Sequence, residues 1–394
     1  MAAHFRYIII GRGLCGAAAG RHLAERCDGV SIIGPDEPAD RQTHHGVFAS
    51  HYDEGRITRT IDPDAGWAQL AHRSIARYGD IARASGFDFY REVGCLVVGD
   101  GPADPYISDV AGAAARLGVA AEALADDGLQ QRFPYFSFPQ GSAGIHEAHG
   151  AGHISPRRLV RAQSLLAERS GATLIRDVAL TIREEGGKAV VTTASGNRFT
   201  AEKVLLAAGG HSIAADLLTR PVDLKVYART VAFFEVDEAE ARRLQAMPSL
   251  IAKLDEGRDS IYLLPPIRYP DGRFYLKIGG DPDDLQLRTE AEICDWFRGS
   301  GRAAARDHLV RIFGYLVPGL ATKSISTAPC VTSFTPSGYP AIGYTSSPRI
   351  AVMTGGCGAA AKSSDEIGRL GAELLLENSI KTEDYGTEFP ANFL

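Results

Sequence analysis

The glycines of Gly11-Arg12-Gly13-Leu14-Cys15-Gly16 stand at the spacing that gives a tight turn, a bare backbone and a close helix contact around a dinucleotide pyrophosphate. The loop follows the apolar run Tyr7-Ile8-Ile9-Ile10 and precedes a small-residue segment at 17–26, the setting in which such a motif carries weight. The acid that binds ribose closes the second strand of these units, and here Gly34 takes that place. Asp36 and Glu37, after Pro35, are open to two readings, a ribose contact or an ordinary acidic turn. Arg12 makes an NADP site conceivable, yet nothing else marks a nicotinamide enzyme. FAD is better supported, because glycine-rich segments at Gly209-Gly210 and Gly355-Gly356-Cys357-Gly358 can bring more backbone close to a long cofactor.

Four other side chains could act beside such a group. Arg56 and Arg59, three apart, point to opposite faces of an extended segment and converge only in a turn or helix. In Phe274-Tyr275-Leu276-Lys277-Ile278-Gly279 the period of two puts Lys277 opposite the apolar face, either on a polar outer surface or as a buried cation beside a cofactor. Lys362 falls in the first turn of an expected helix, where the dipole disfavours a cation, so an anionic ligand would explain it. The six cysteines, at 15, 27, 95, 294, 330 and 357, form no CxxC pair, so one that matters should matter alone, and spacing does not single out Cys330. His44, His45, His146, His149 and His153 lack a matching carboxylate or cysteine constellation, and no metal is expected.

These residues need a large scaffold. The 394 residues, 45% hydrophobic, suffice for two intertwined domains. Lys plus Arg total 42 against 48 Asp plus Glu, a net charge of −6 with the signs interspersed, which argues against a nucleic-acid surface. No apolar run is long enough to span a membrane, and a cytoplasmic protein is expected. Residues 5–36 have the shape of a βαβ unit. A helix opens at Pro156 with Ser155 as its cap, and strands at 189–193 and 199–207 flank the turn Ser195-Gly196-Asn197. Segments at 95–99, 226–236, 260–264 and 274–279 suggest an antiparallel sheet in a second domain. A strand at 350–353, the glycine turn and a helix to about 377 return to the first domain, which is thus built from both ends of the chain.

With these residues assembled, the chain resembles the monomeric sarcosine oxidase family, within the D-amino-acid-oxidase superfamily of flavoproteins. The resemblance is carried by the loop at 11–16, by segment 50–59, and by Val93-Gly94-Cys95-Leu96-Val97-Val98-Gly99. Arg229-Thr230-Val231-Ala232-Phe233-Phe234, Leu276-Lys277-Ile278-Gly279, Cys330 with Thr335-Pro336, and Gly355 to Lys362-Ser363-Ser364 continue it. It implies an α/β fold, a glutathione-reductase-type Rossmann-like FAD-binding domain joined to an antiparallel-sheet α+β substrate domain. The expected boundaries are 1–85, 148–220 and 325–385 for the first, 86–147 and 221–324 for the second, with a tail at 386–394.

The activity implied is oxidation of a small carboxylate-bearing amine by FAD, with molecular oxygen as acceptor and hydrogen peroxide as product. A monomer is favoured. Cys330 falls where the family attaches FAD through a thioether, and Lys277 where a fixed cation activates oxygen. Arg59 and Lys362 match the pair that clamps the substrate carboxylate, and Arg56 an arginine facing the flavin. Cofactor contacts are expected at Gly11, Gly13, Leu14, Cys15, Gly16, Asp36, Ser50, Gly209, Cys330, Gly355, Gly358 and Lys362. Departures cluster around the substrate. Tyr52 replaces a histidine beside the flavin, Leu263 and Thr332 stand where tyrosines line the pocket, and Asp281 replaces a pocket histidine and could meet a cationic substrate group. A few extra residues fall in 265–273. Sarcosine is therefore not the expected substrate; a secondary amine or N-alkylated amino acid is. A flavin dehydrogenase with another acceptor and an inactive flavin-binding module are the alternatives.

Overall fold

Tyr7-Ile8-Ile9-Ile10 closes the strand Ala3–Ile10, and all four side chains are buried, as a parallel strand covered on both faces requires. In the computed structural model, which describes residues 3–255, 257 and 259–394, this strand pairs in parallel with Val30–Ile33 on one side and Arg198–Leu206 on the other. Thr173–Ile175 extends the sheet beyond Val30–Ile33, Ile350–Thr354 runs parallel to Arg198–Leu206, and Ala341–Tyr344 lies antiparallel beside it. Ala179–Glu185 and Lys188–Thr193 add an antiparallel flap through the Ser195-Gly196-Asn197 turn. This sheet, eight-stranded among the described residues, draws on early, middle and late parts of the sequence.

Three helices that pack on one another depend on small residues and buried charge. A Cβ on Gly368 of Ala360–Glu377 would come within 2.5 Å of Ala18 Cβ on Leu14–Ala24, so glycine permits the close approach of these two helices. The enclosed Asp365 carboxylate accepts from Arg21 Nη2 and from Gln163 Nε2, each at 2.8 Å, and from Arg77 Nε. Gln163 lies on Pro156–Arg169, whose cap Ser155 accepts from the Arg158 amide as expected. A buried carboxylate matched in this way fixes the helix that carries Lys362 one turn earlier.

Among the described residues the second sheet has nine strands. Lys225–Val236 pairs antiparallel with Phe274–Gly279, Leu285–Leu287 and Ser324–Phe334, and Asp259–Arg268 joins Phe274–Gly279 to Ser249–Leu254. One pairing departs from the antiparallel expectation: Ser249–Leu254 runs parallel to Cys95–Gly99. The connection between them holds the middle of the chain, long enough for the crossover that parallel neighbours need. Ser324–Phe334, which a boundary at 325 assigns to the first domain, is hydrogen-bonded along Lys225–Val236 and so belongs to this second sheet. A small third sheet of Arg56–Thr58, Gly152–Ile154 and Tyr90–Arg91 carries the arginine segment. Among the described residues no helix is long and apolar enough to cross a membrane.

Candidate functional site

The glycine loop divides its labour residue by residue. Gly11 has φ +106°, and a Cβ there would overlap the Ala207 carbonyl; a Cβ on Gly16 would overlap the carbonyl of Gly11 itself. Gly13 differs, because its Cβ direction opens on space whose nearest atom is His51 Nδ1 at 3.9 Å. The helix Leu14–Ala24 begins there with no side-chain cap and no acid in its first turn, so the positive end of its dipole is unmatched. His51 Nδ1 is itself buried without a partner, and burial, then Arg12, pushes this imidazole down to about 3. A bare backbone at a helix N-terminus with a neutral imidazole beside it fits a dinucleotide pyrophosphate. Leu14 packs into the core beneath the loop, and burial raises the Cys15 thiol to about 12, so it stays protonated. Asp36 is paired with Arg12 and with Arg176 at 2.9 Å, which makes this acidic turn part of an ion-pair network. Gly209 and Gly358 have nothing near their Cβ directions, whereas Gly355 is packed on Thr335.

Segment 50–59 is laid out as an extended strand over Arg56–Thr58, so its two arginines part company. Arg56 turns to a first cluster. Its guanidinium pairs with Asp53, donates to the carbonyls of Gly55 and Ser50 at 3.0 Å, and stands 3.6 Å from Cys330 Sγ. Lys277, with no exposed surface, donates to Asp53 Oδ2 at 2.5 Å and to the Gly55 carbonyl at 2.7 Å. Asp53 Oδ1 accepts from the Tyr269 hydroxyl at 2.9 Å and from the Glu54 amide at 2.8 Å. Burial, then the Arg56 guanidinium, pushes Lys277 well below the ordinary lysine value, an effect the adjoining Asp53 carboxylate opposes. The Lys277 ammonium also lies 5.6 Å from the centre of the Tyr262 ring, whose hydroxyl burial pushes up to about 12. Beside this cluster is a cavity of about 200 Å³ walled by Arg56, Cys330, Ser50, Tyr52, Phe233 and Tyr269 among others.

Arg59 turns to a second cluster. Its Nη2 lies 2.9 Å from Asp62 Oδ2, and Lys362 Nζ reaches the same oxygen at 3.2 Å. Lys362, 3% exposed, also donates to the Trp67 carbonyl at 3.2 Å and sits 5.9 Å from the Trp67 ring centre. Burial alone would raise the Asp62 carboxyl, yet Lys362 and Arg59 hold it below the usual carboxylate range. Burial lowers Lys362. Glu147 completes the group: it is 1% exposed and accepts the amides of Thr60 and Ile61, and burial raises its carboxyl. Arg59 Nε is enclosed without an acceptor.

The structure thus brings Lys277, Arg56 and Cys330 into one cluster and Arg59 with Lys362 into another. Tyr52 walls the cavity, half-buried, its ring edge-on to His51. Thr332 is two residues from Cys330 on one strand, hence on the same face, and its enclosed hydroxyl has no partner. Two expectations are corrected. Leu263 has no exposed surface and packs in the core with Leu250, Leu276 and Ile278; the alternation along Asp259–Arg268 turns Tyr262 toward Lys277 instead. Asp281 is not offered to a ligand, because its enclosed side chain pairs with Arg302 and accepts the Thr230 amide.

Asp53, Asp62, Tyr262 and Tyr269 were not anticipated. A signal for the two acids was present: Asp53 and Arg56, like Arg59 and Asp62, stand three residues apart. Among the described residues one further trio, His211, Glu290 and Cys294, has ligand atoms within 4.8 Å of one another. The Phe48 amide donates to His211 Nε2 at 3.3 Å, which puts the proton on Nδ1, and burial pushes Cys294 up to about 11. Both oppose metal ligation.

The profile of the DAO family, described as FAD dependent oxidoreductase, matches residues 6–374. Monomeric sarcosine oxidase of Bacillus sp. (strain B-0618) is 24% identical over 262 residues, 65% of this chain and 65% of that protein, so the match spans under two thirds of the relative. Among solved structures, NikD, an unusual amino acid oxidase essential for nikkomycin biosynthesis, superposes with a TM-score of 0.77 at 19% identity over 100% of this chain and 98% of the other. Amadoriase I, a fructosyl amine:oxygen oxidoreductase from Aspergillus fumigatus, gives 0.74 at 19% identity over 97% and 88%. With a family profile covering nearly the whole length and a groove whose glycines and orphaned histidine fit the cofactor, the chain belongs to the DAO family of FAD-dependent oxidoreductases.

Proposed function

We propose that the protein is an FAD-dependent oxidase of a secondary amine or N-alkylated amino acid, with sarcosine itself a poor substrate. The observation that supports this best is the meeting of Lys277, Arg56 and Cys330, from three separate segments, beside one cavity. FAD, when bound, would supply the two-electron redox chemistry for oxidising a C–N bond with dioxygen as acceptor, the products being an imine that hydrolyses and hydrogen peroxide.

The chain's own groups bind and polarise. The Gly13 backbone and the first turn of Leu14–Ala24 hold the pyrophosphate, and Cys330 is assigned the thioether link to the cofactor. Arg56 on the cavity wall and the fully buried Lys277 beside it are the positive groups of this cluster, and a fixed positive charge favours negative charge developing on oxygen. Tyr52 walls the cavity, and Thr332 shares a strand face with Cys330. The six cysteines are all free, which supports a cytoplasmic setting, and a monomer is the proposed state, in keeping with the relative named as a monomeric enzyme.

One observation favours a second reading, a dehydrogenase that hands electrons to another acceptor. Asp53 sits on Lys277 and cancels much of the charge that oxygen would use. Anaerobic mixing of the purified holoprotein with N-methyl and cyclic amino acids and simple secondary amines, followed by admission of air, tests both. Bleaching of the flavin with peroxide formation is expected of the oxidase, and bleaching without prompt reoxidation of the dehydrogenase. No bleaching by any amine overturns both and leaves an inactive flavin-binding module, and colourless protein after expression with ample riboflavin overturns all three.

A further inference from the structure

The seat between Arg59 and Lys362 is filled by the protein itself. Both cations converge on one oxygen of Asp62, at 2.9 and 3.2 Å, while Asp62 Oδ1 accepts the Asp64 amide at 3.1 Å. That is the position a ligand carboxylate would take between two such side chains. Glu147 lies in the same enclosure, held by the Thr60 and Ile61 amides. The enclosure therefore holds two cations and two carboxyl groups, which balance without a ligand when both acids are ionised. A third carboxylate would bring like charge against Asp62 where little water screens it, since Asp62 is 7% and Lys362 3% exposed. What the cluster lacks is an acceptor for Arg59 Nε–H, buried and unpartnered. A neutral oxygen meets that need without adding charge.

We infer that Asp62 is a specificity-determining residue, which occupies the anion seat of the Arg59–Lys362 pair and so selects amines bearing a neutral acceptor, such as a carboxamide or ester carbonyl, in place of a free carboxylate. The inference rests on the amine-oxidising reading above and narrows its substrate class. Asp62 does not enter the reaction; it acts through Arg59 and Lys362.

The test is equilibrium binding of benzoate and benzamide to the oxidised holoprotein, read as perturbation of the flavin spectrum, since neither probe has an oxidisable amine. The wild-type protein is expected to bind benzamide about ten-fold or more tightly than benzoate. Asp62→Asn, which keeps the shape and removes the charge, is expected to reverse that order. A wild-type protein that prefers benzoate overturns the inference, whether or not the variant folds, and so does an unchanged ratio in a folded Asp62→Asn. The same comparison by anaerobic bleaching, with N-methylphenylalanine against its carboxamide, separates the two ideas. Failure of both amines to bleach the flavin counts against amine oxidation, while faster bleaching by the free acid counts against the role of Asp62 alone.

Discussion

The Lys277 ammonium and the Asp53 carboxylate, from a strand of the second sheet and from the loop before Arg56–Thr58, meet at 2.5 Å, the lysine fully buried and the carboxylate on the cavity wall. Asp53 carries four donors, from Lys277, Arg56, Tyr269 and the Glu54 amide, so it is a fixed negative charge that holds two cations and a phenol in place. Neutralising it should expose the cations. Asp53→Asn is expected to speed reoxidation of the reduced holoprotein by air, and Lys277→Met to slow it by about 10²-fold, the worth of one preorganised charge in a dry site. Stopped-flow reoxidation measures both, and an unchanged rate in Lys277→Met removes the lysine from the oxygen step.

Cys330 has the placement that a covalent tether needs. Its thiol faces the cavity beside Arg56, and its carbonyl is pinned by Trp296 Nε1 at 2.8 Å, so the strand cannot swing away. Acid precipitation of the wild-type protein should leave yellow colour on the polypeptide, and Cys330→Ala should release it to the supernatant. Free FAD from the wild-type protein would reject the link.

How far the sequence could be read depended on whether a residue's oddity was local. Lys362 stood out because a lysine in a helix's first turn opposes the dipole, and the glycine loop because only glycine fits Gly11 and Gly16. Asp53 and Asp62 did not, because an acid three residues from an arginine in a loop reads as a solvated pair until the second cation is known, and that lies far away in the chain at 277 and 362. The extra residues at 265–273 could be counted but not used. Only the folded hairpin shows that they deliver the Tyr269 hydroxyl to Asp53.

A shift of one residue decides the next expectation. Over Ile261–Leu264 consecutive side chains take opposite faces, so Leu263 joins the core and Tyr262 the Lys277 side. Leu263→Ala should cost about 2–5 kcal/mol of stability while leaving the flavin spectrum unaltered. Tyr262→Phe should perturb that spectrum with little loss of stability. The reverse pattern, from denaturation curves and absorbance, would restore position 263 to the pocket.

The scaffold behind Lys362 has its own pH dependence. Burial alone would raise the Asp365 carboxyl, but His22, Arg21 and Arg77 hold it well below the usual carboxylate range. Because the folded-state value is depressed, the stability it contributes is present above the unfolded value of about 3.9 and is lost as pH falls, from about pH 5 downward. Asp365→Asn removes the anion and leaves Arg21 and Arg77 facing each other, which should cost about 3–5 kcal/mol at pH 7. Urea unfolding at pH 7 and about pH 3 measures this, and the gap between wild type and variant should narrow at the lower pH. A gap under about 1 kcal/mol at pH 7, the range of an exposed pair, would mean that Asp365 is not what holds the helix carrying Lys362.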